Sequence, residues 1–301
     1  MAQYSIKELE HLSGIKAHTI RIWEQRYGIL NPKRTETNIR FYDDSDLKNI
    51  LNISLLNEHG YKISKIAKMS CDEISTEVCN LTYSESEDTH QMNALLIAMI
   101  EMDEERFDKL LSTVILQKGL ERTMLYVIYP FLTKLGILWQ TGNINPAQEH
   151  FVSNIIRQKL IVAIDGQVIA RPDKAPRYLL FLPEGELHEI GLLFMNYLLR
   201  SRNNHVMYLG QNLPYPDLIS TVAVYKPHYI CTVFTALPER DHVQDYLNNL
   251  AGLATNNHAT VFVCGAQVQH DNLSFPAHVI RISSLQELIN HLDKMEQALP
   301  A

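Results

Sequence analysis

Apolar and polar positions along this chain change their period three times. Over residues 4–27 the apolar positions recur three and four apart in two short runs. Ser5 and Glu8 stand as a capping box before the first run, and Gly14 separates the two. This predicts two helices around a tight turn, the second ending at Gly28. The stretch ILNPKRTETNIRFYD, with Pro32 and Thr/Asn turn chemistry between two β-prone pieces, predicts a hairpin or wing. Helical periodicity returns in DDSDLKNILNISLLNEHG, capped by Asp43 or Asp44 and ended at Gly60, and a short helix follows in ISKIAKMS. The polar letters between Cys71 and Asp88 read as a linker. Residues 89–172 hold four helical segments (HQMNALLIAMIEMD, EERFDKLLSTVILQKG, LERTMLYVIYPFLTKLGILW, PAQEHFVSNIIRQKLIVAIDG), with turns at Gly119, Gly142 and Pro146 between the later ones. Short connections between such helices predict a four-helix bundle. From Arg177 onward the runs RYLLFLP, HVMYLG, HYICTVF, TVFVCG and HVIRIS alternate with helical stretches, the signature of a parallel sheet covered on both faces. The expected architecture is multidomain: an α winged helix-turn-helix head (1–75), a helical bundle (76–172) and an α/β flavodoxin-like, Rossmann-type domain (173–301).

Composition narrows the class. With 301 residues, 46% of them hydrophobic and 20% charged, the chain can bury full cores. No apolar run reaches the ~18 residues that a membrane-spanning helix requires, and the richest, Met124 to Trp139, is broken by Pro130 and Lys134. The opening MAQYSIKELE has neither the basic flank nor the apolar block of a signal peptide. Cys71, Cys79, Cys231 and Cys264 show neither metal-ligand spacing nor the density of a disulfide scaffold. The expectation is a soluble, cytoplasmic protein with no membrane partner. Its net charge of −7 is unevenly spread. Residues 1–70 carry 11 Lys/Arg against 8 Asp/Glu, and the remainder 16 against 26. A basic head on an acidic body suggests that the head meets a polyanion.

In HTIRIWEQR, Ile20 with Ile22 or Trp23 is expected to face the core while Arg21, Glu24 and Arg26 project. The second helix of a helix-turn-helix enters the major groove, where arginine suits guanine edges and phosphates. Arg34 and Arg40, the latter followed by Phe41 and Tyr42, would lie along the neighbouring backbone; a solvated basic helix pair with an ordinary hairpin is the alternative. TIRIWEQRYGIL, followed by a hairpin ending NIRFYDDSDL, resembles the winged helix-turn-helix head of the MerR family of transcriptional regulators over roughly residues 3–70. The resemblance implies contact with double-stranded operator DNA, and the candidate residues are His18, Thr19, Arg21, Trp23, Arg26, Arg34, Arg40 and Tyr42. Many MerR proteins continue into one long helix that pairs with a partner. Here Gly60 and the polar stretch interrupt it, so assembly into a homo-oligomer, dimer or tetramer, is expected of the downstream domains.

The first strand of the α/β part leads into LPEGELHEIG. A histidine after a first parallel strand lies at the ligand edge of the sheet. Imidazole is a ready ligand for a transition metal, and a nearby carboxylate accepting its other N–H fixes the tautomer. Gly191 allows close backbone approach to a bulky ligand. Alone, such a histidine is more often a surface or polar-network residue. Glu186, His188 and Gly191 together form an E-x-H-x-x-G pattern, which resembles the cobalamin-binding domain shared by corrinoid methyl-transfer proteins, cobalamin mutases and certain regulators. The resemblance implies His188 as the lower axial cobalt ligand, Glu186 as its orienter and Thr232 near a tail-contacting serine. Gly265 and Ala266 stand where a Gly-Gly pair is usual; the threonine keeps the hydroxyl, whereas Ala266 adds a methyl.

In the helical part, Trp139 is followed after nine residues by Glu149 and His150, in a helix capped by Asn145 with Pro146 at its first position and Gln148 completing a capping box. Alone this reads as a core tryptophan and a solvated helix start. The W-x9-E-H spacing resembles the helical cap of light-sensing MerR regulators that bind adenosylcobalamin, where the cap lies over the cofactor's upper face. Gln140 stands where some of those relatives carry a histidine. The whole resemblance implies a non-enzymatic transcriptional repressor whose oligomerisation and operator binding answer to adenosylcobalamin, with light acting through the cobalt–carbon bond. Ala266, Gln140 and Thr232 support the alternative, a MerR-type regulator with a cobalamin-independent sensory body. A corrinoid carrier enzyme would have no use for a DNA-binding head.

Overall fold

The computed structural model describes residues 3–35, 38–70, 73–74, 77–78, 88–140, 144–167, 175–270 and 272–297, with the backbone alone at 137, 139, 140 and 295–297. It divides into two compact units, residues 1–155 and 156–301.

The first unit opens with α1 (Ile6–Ser13) and α2 (Ala17–Tyr27), then the two-residue strands β1 (Lys33–Arg34) and β2 (Arg40–Phe41), α3 (Asp44–Glu58) and α4 (Ile63–Ile66). The expected capping box closes both ways: the Ser5 amide donates to Glu8 Oε2 at 2.6 Å and the Glu8 amide to Ser5 Oγ at 3.3 Å. Gly14 ends α1 in the left-handed region at φ 75°. A bridge between Tyr4 and Tyr42 ties the start of the chain to the end of the wing. Asp43, rather than Asp44, caps α3, accepting from the Asp46 amide at 3.0 Å and pairing with Lys33 at 2.7 Å. Asp43→Ala is expected to cost about 1 kcal/mol, the usual worth of such a cap. Tryptophan fluorescence on thermal unfolding checks it, because Trp23 and Trp139 both lie in this unit.

Most of the stretch expected as a linker falls outside the described residues. Those within it correct the reading: 73–74 and 77–78 are helical, Ile74 and Val78 are buried, and the Tyr61 hydroxyl donates to Glu77. Two apolar residues four apart suffice to dock one helical turn, however polar the letters around them.

The four expected helices follow as α5 (Asp88–Ile100), α6 (Glu104–Lys118), a third that is compound, and α9 (Pro146–Asp165). The compound one runs from α7 (Leu120–Thr123) through a π turn (Met124–Ile128) into α8 (Tyr129–Gln140). The π turn precedes Pro130. Proline lacks an N–H and its ring crowds the carbonyl four residues back. A wider turn, with the Tyr129 amide reaching Met124 O, carries the helix past it. Every residue from His90 to Met99 in α5 is buried, so this is the central helix. The Asn145–Gln148 box forms in both directions, at 3.2 and 2.9 Å.

The second unit alternates β3 (Arg177–Pro183), α10 (Ile190–Ser201), β4 (His205–Leu213), α11 (Tyr215–Tyr225), β5 (Tyr229–Val233), α12 (Val243–Asn257), β6 (Thr260–Cys264), β7 (Val279–Arg281) and α13 (Leu285–Gln297). The strands form one parallel sheet in the order β4-β3-β5-β6-β7, the flavodoxin-like arrangement. Leu179, Phe181, Ile230, Val261 and Val263 pack with α11 and α12 on one face. On the other, Phe262 meets His291 of α13 edge-on at 4.9 Å. The strand order reverses between β3 and β5, and ligands of such sheets bind outside the carboxyl ends there.

Candidate functional site

The loop after β3 carries the Glu186–His188 pair. Glu186 is fully buried although its loop is at the surface. Its Oε2 accepts the amides of Thr235, Ala236 and Leu237 at 3.1, 2.6 and 2.9 Å. Its Oε1 accepts the His188 amide at 3.0 Å and the His188 ring Nδ1 at 2.6 Å. One carboxylate thus binds the loop after β3 to the loop after β5, across the switch point. Burial pushes the Glu186 carboxyl up. The hydrogen bonds from the His188 ring and from the Leu237, His188 and Ala236 amides outweigh that and hold it down to about 2. Because an ionised carboxylate only accepts, the Nδ1 facing it carries the proton and Nε2 the lone pair. The His188 side chain is 60% exposed. A buried orienter beneath an exposed imidazole is the usual build of a metal-ligating histidine.

Gly191 is the second residue of α10, half-buried. Thr232 lies on β5 opposite Phe181 of β3 and Val263 of β6, fully buried, and its hydroxyl has no hydrogen-bond partner. Gly265 (φ 108°) follows β6, and a Cβ there would fall 2.3 Å from the Phe234 carbonyl oxygen; Ala266 is exposed at the start of a short 3-10 turn. A cavity of about 400 Å³ opens beside the Glu186 loop, lined by Pro183, Glu184, Tyr215, Leu237, His242 and Tyr246 among others. The sequence reading missed two supports of this loop. Asn212 Oδ1 accepts the Gly185 amide at 2.7 Å. Glu189, also buried, pairs with Arg157 and accepts the Tyr208 hydroxyl at 3.0 Å. The signal for Glu189 was its place beside His188; nothing local pointed to Asn212.

Trp139 and Gln140 belong to α8, but their side chains lie outside the described residues. Glu149 and His150 are in the first turn and a half of α9, with His150 exposed and its Nδ1 3.0 Å from Glu149 Oε2. Glu149 also accepts from Ser153 Oγ at 2.6 Å. Trp139, Gln140, Glu149 and His150 lie in the first unit, and His188 in the second.

In the head, α2 buries Ile20 and exposes His18, Arg21, Ile22, Gln25 and Arg26, with Thr19 and Trp23 half-buried. Of the two alternatives expected beside Ile20, Trp23 is the one that turns inward, and Ile22 is 52% exposed. Two expectations are corrected here. Glu24 turns inward, accepting the Tyr42 hydroxyl at 3.0 Å and standing 3.6 Å from Arg40 Nε. Tyr42, expected to reach DNA, is fully buried, so it fastens the wing to α2 instead. Arg34 and Arg40 are direct cross-strand partners in the wing. Like charges so placed repel, and the Arg34 guanidinium is held to Asn38 Oδ1 at 2.7 Å. An exposed basic helix face beside a wing with paired arginines is the geometry of a major-groove reader flanked by a phosphate contact.

Residues 4–71 match the MerR HTH family regulatory protein model, and residues 91–163 match the B12 binding domain model. The chain is a transcriptional regulator that carries a MerR-type HTH domain and a B12-binding domain. The HTH-type transcriptional repressor CarH of Myxococcus xanthus is 29% identical to the regulator over 253 residues, covering 82% of this chain and 84% of that protein. The repressor CarA of the same organism is 25% identical over 276 residues, covering 87% and 91%. Among solved structures, the Methanosarcina barkeri monomethylamine corrinoid protein superposes with a TM-score of 0.56 at 12% identity, covering 69% of this chain and 99% of that one, which is a likeness of fold. Among the described residues no helix is long and apolar enough to cross a membrane.

Proposed function

We propose that the regulator binds adenosylcobalamin through its second unit, with His188 as the lower cobalt ligand, and that binding governs its assembly and its grip on operator DNA. The observation that carries this reading is the buried, ionised Glu186. It holds the proton at His188 Nδ1 and leaves the lone pair on Nε2, the form a metal requires. The residues fit the cofactor in two further ways. Thr232 has a buried hydroxyl with no partner, a costly arrangement that a polar ligand atom relieves. Gly191 has no side chain where α10 begins. Gly265 and Ala266 complete the candidate set on the sheet, and Trp139, Glu149 and His150 are its members from the helical block. Adenosylcobalamin, when bound, supplies a cobalt–carbon bond that visible light breaks.

For the head, His18, Thr19, Arg21, Trp23 and Arg26 on α2, with Arg34 and Arg40 on the wing, are the DNA contacts of this proposal. Tyr42 and Glu24 hold the wing in place for them. Several heads linked in one homo-oligomer, a dimer or tetramer, engage an operator at high effective concentration, and loss of assembly weakens all of them together. The resulting switch represses transcription in the cytoplasm and has no catalytic turnover; CarH and CarA, both called repressors, support that sign.

The test is a purification with adenosylcobalamin in the dark. A red complex is expected to survive gel filtration and to shrink in size on illumination, and His188→Ala is expected to come through colourless at unchanged yield. A colourless wild-type chain overturns the reading. DNA binding indifferent to cobalamin and to light would leave a regulator with a cobalamin-independent body.

A further inference from the structure

The core-facing stripe of α8 contains a charge. Phe131, Leu135 and Leu138 are buried, and Lys134, between them on the same face, reaches inward as well. Its Nζ donates to the Leu12 carbonyl at 2.6 Å and to Asn93 Oδ1 of α5 at 3.1 Å. Among the described residues no carboxylate pairs with it. Burial lowers its ammonium pKa to about 8, against the pull of Glu58. Burying the ammonium costs desolvation, which these two acceptors offset, and removing it leaves both of them unmet.

What Lys134 grips is the end of α1. Leu12 and Ser13 are the last residues of that helix, whose carbonyls carry the negative end of its dipole. Ser54 of α3 donates to the Ser13 carbonyl at 2.8 Å, and Ser13 Oγ donates to Leu9 O at 2.6 Å. Only Gly14, Ile15 and Lys16 lie between this gripped end and α2, the helix with the exposed basic face. In the other direction, Trp139 follows Lys134 by five residues on the same helix, about 8 Å along its axis. Beside the lysine lies a polar seam. His90 Nε2 of α5 is 2.8 Å from Glu58 Oε2 at the end of α3, and the His59 and His90 rings approach at 4.1 Å. The head and the helical block therefore meet through buried polar contacts, which have discrete bonded and broken states.

We propose that Lys134 is the positioning residue through which the helical block sets the recognition helix, by holding the carboxyl end of α1 in one arrangement. The inference rests on the reading that the block senses cobalamin and the head binds DNA. A shift of α8 moves the ammonium relative to the Leu12 carbonyl and releases or restores the anchor from which α2 departs. An apolar side chain packs in the same place but carries no such signal.

The experiment compares wild-type, Lys134→Met and Lys134→Gln full-length protein, each with and without adenosylcobalamin in the dark. The probe is a duplex selected from a random-sequence pool on the wild-type protein. The methionine variant is expected to unfold at a somewhat lower temperature than wild type, because two buried acceptors lose their donor, and to retain cobalamin absorbance in its folded form. Its ratio of DNA affinities, loaded over unloaded, is expected to fall to within about twofold of one, where allosteric couplings ordinarily run about 5- to 150-fold. Glutamine, which keeps a shorter donor, serves if methionine does not fold, and is expected to retain part of the ratio. A wild-type ratio in a folded, cobalamin-binding methionine variant overturns the proposal alone. A wild-type chain that shows no ratio overturns the cobalamin reading and this inference with it.

Discussion

Gly265→Ala is expected to destabilise the second unit by more than about 3 kcal/mol, the range reserved for backbone strain combined with overpacking. Gly265 has φ 108° and ψ 173°, a region that only glycine enters readily. The added methyl would also lie 2.3 Å from the oxygen, 2.7 Å from the carbon and 2.8 Å from the nitrogen of Phe234. That peptide has little freedom to move away. The Phe234 amide donates to Cys264 O at 2.8 Å, its carbonyl accepts the Gln267 amide at 3.0 Å, and its ring is buried edge-on to Tyr246 at 5.5 Å. Relief at Gly265 therefore breaks the join between the ends of β5 and β6. Urea unfolding followed by far-UV circular dichroism reads the effect. Tryptophan fluorescence, confined to the first unit, should change far less. An unmoved dichroism midpoint rules the argument out.

Much of the architecture was legible because its signals are local. The parallel strands, buried on both faces, show as continuous apolar runs such as RYLLFLP. The caps at Ser5, Asp43 and Asn145 each need only the next three residues. The Glu186–His188 bond spans two positions, so the motif exposed it as well. The errors share a different cause. Glu24 reads as a projecting helix residue and Tyr42 as a wing residue until the wing folds one over the other, across 18 positions that no period encodes. The amides that ionise Glu186 come from 49 to 51 residues downstream, a distance set by the β3–β5 pairing. Lys134 reads as a break in an apolar run, whereas the end of α1, 122 positions earlier, supplies its acceptor.

Glu186→Gln is expected to injure stability and cobalt ligation together, by one cause. The two carboxylate oxygens accept five N–H groups between them, three at Oε2 and two at Oε1. An amide offers one oxygen and one NH2. With its oxygen toward residues 235–237, its NH2 faces the His188 amide and Nδ1. Nδ1 must then become the acceptor, which moves the ring proton to Nε2 and removes the lone pair a metal needs. In the opposite orientation three buried amides lose their acceptor, at about 1–3 kcal/mol for each unmet group. Dark-loaded Glu186→Gln protein should therefore lose the His188-ligated cobalamin spectrum even where it folds. The wild-type carboxyl also makes an acid-sensitive contribution. Its pKa falls from 4.5 to about 2 on folding. The stabilisation is thus fully present above about pH 5 and drains away as pH falls toward 2, to an extent on the order of 3 kcal/mol. Glutamine does not titrate, so the stability gap between wild-type and variant should narrow steadily from pH 5 to pH 3 in urea titrations. A gap that stays constant over that interval means the carboxylate is not held by these bonds, and the tautomer argument built on it fails as well.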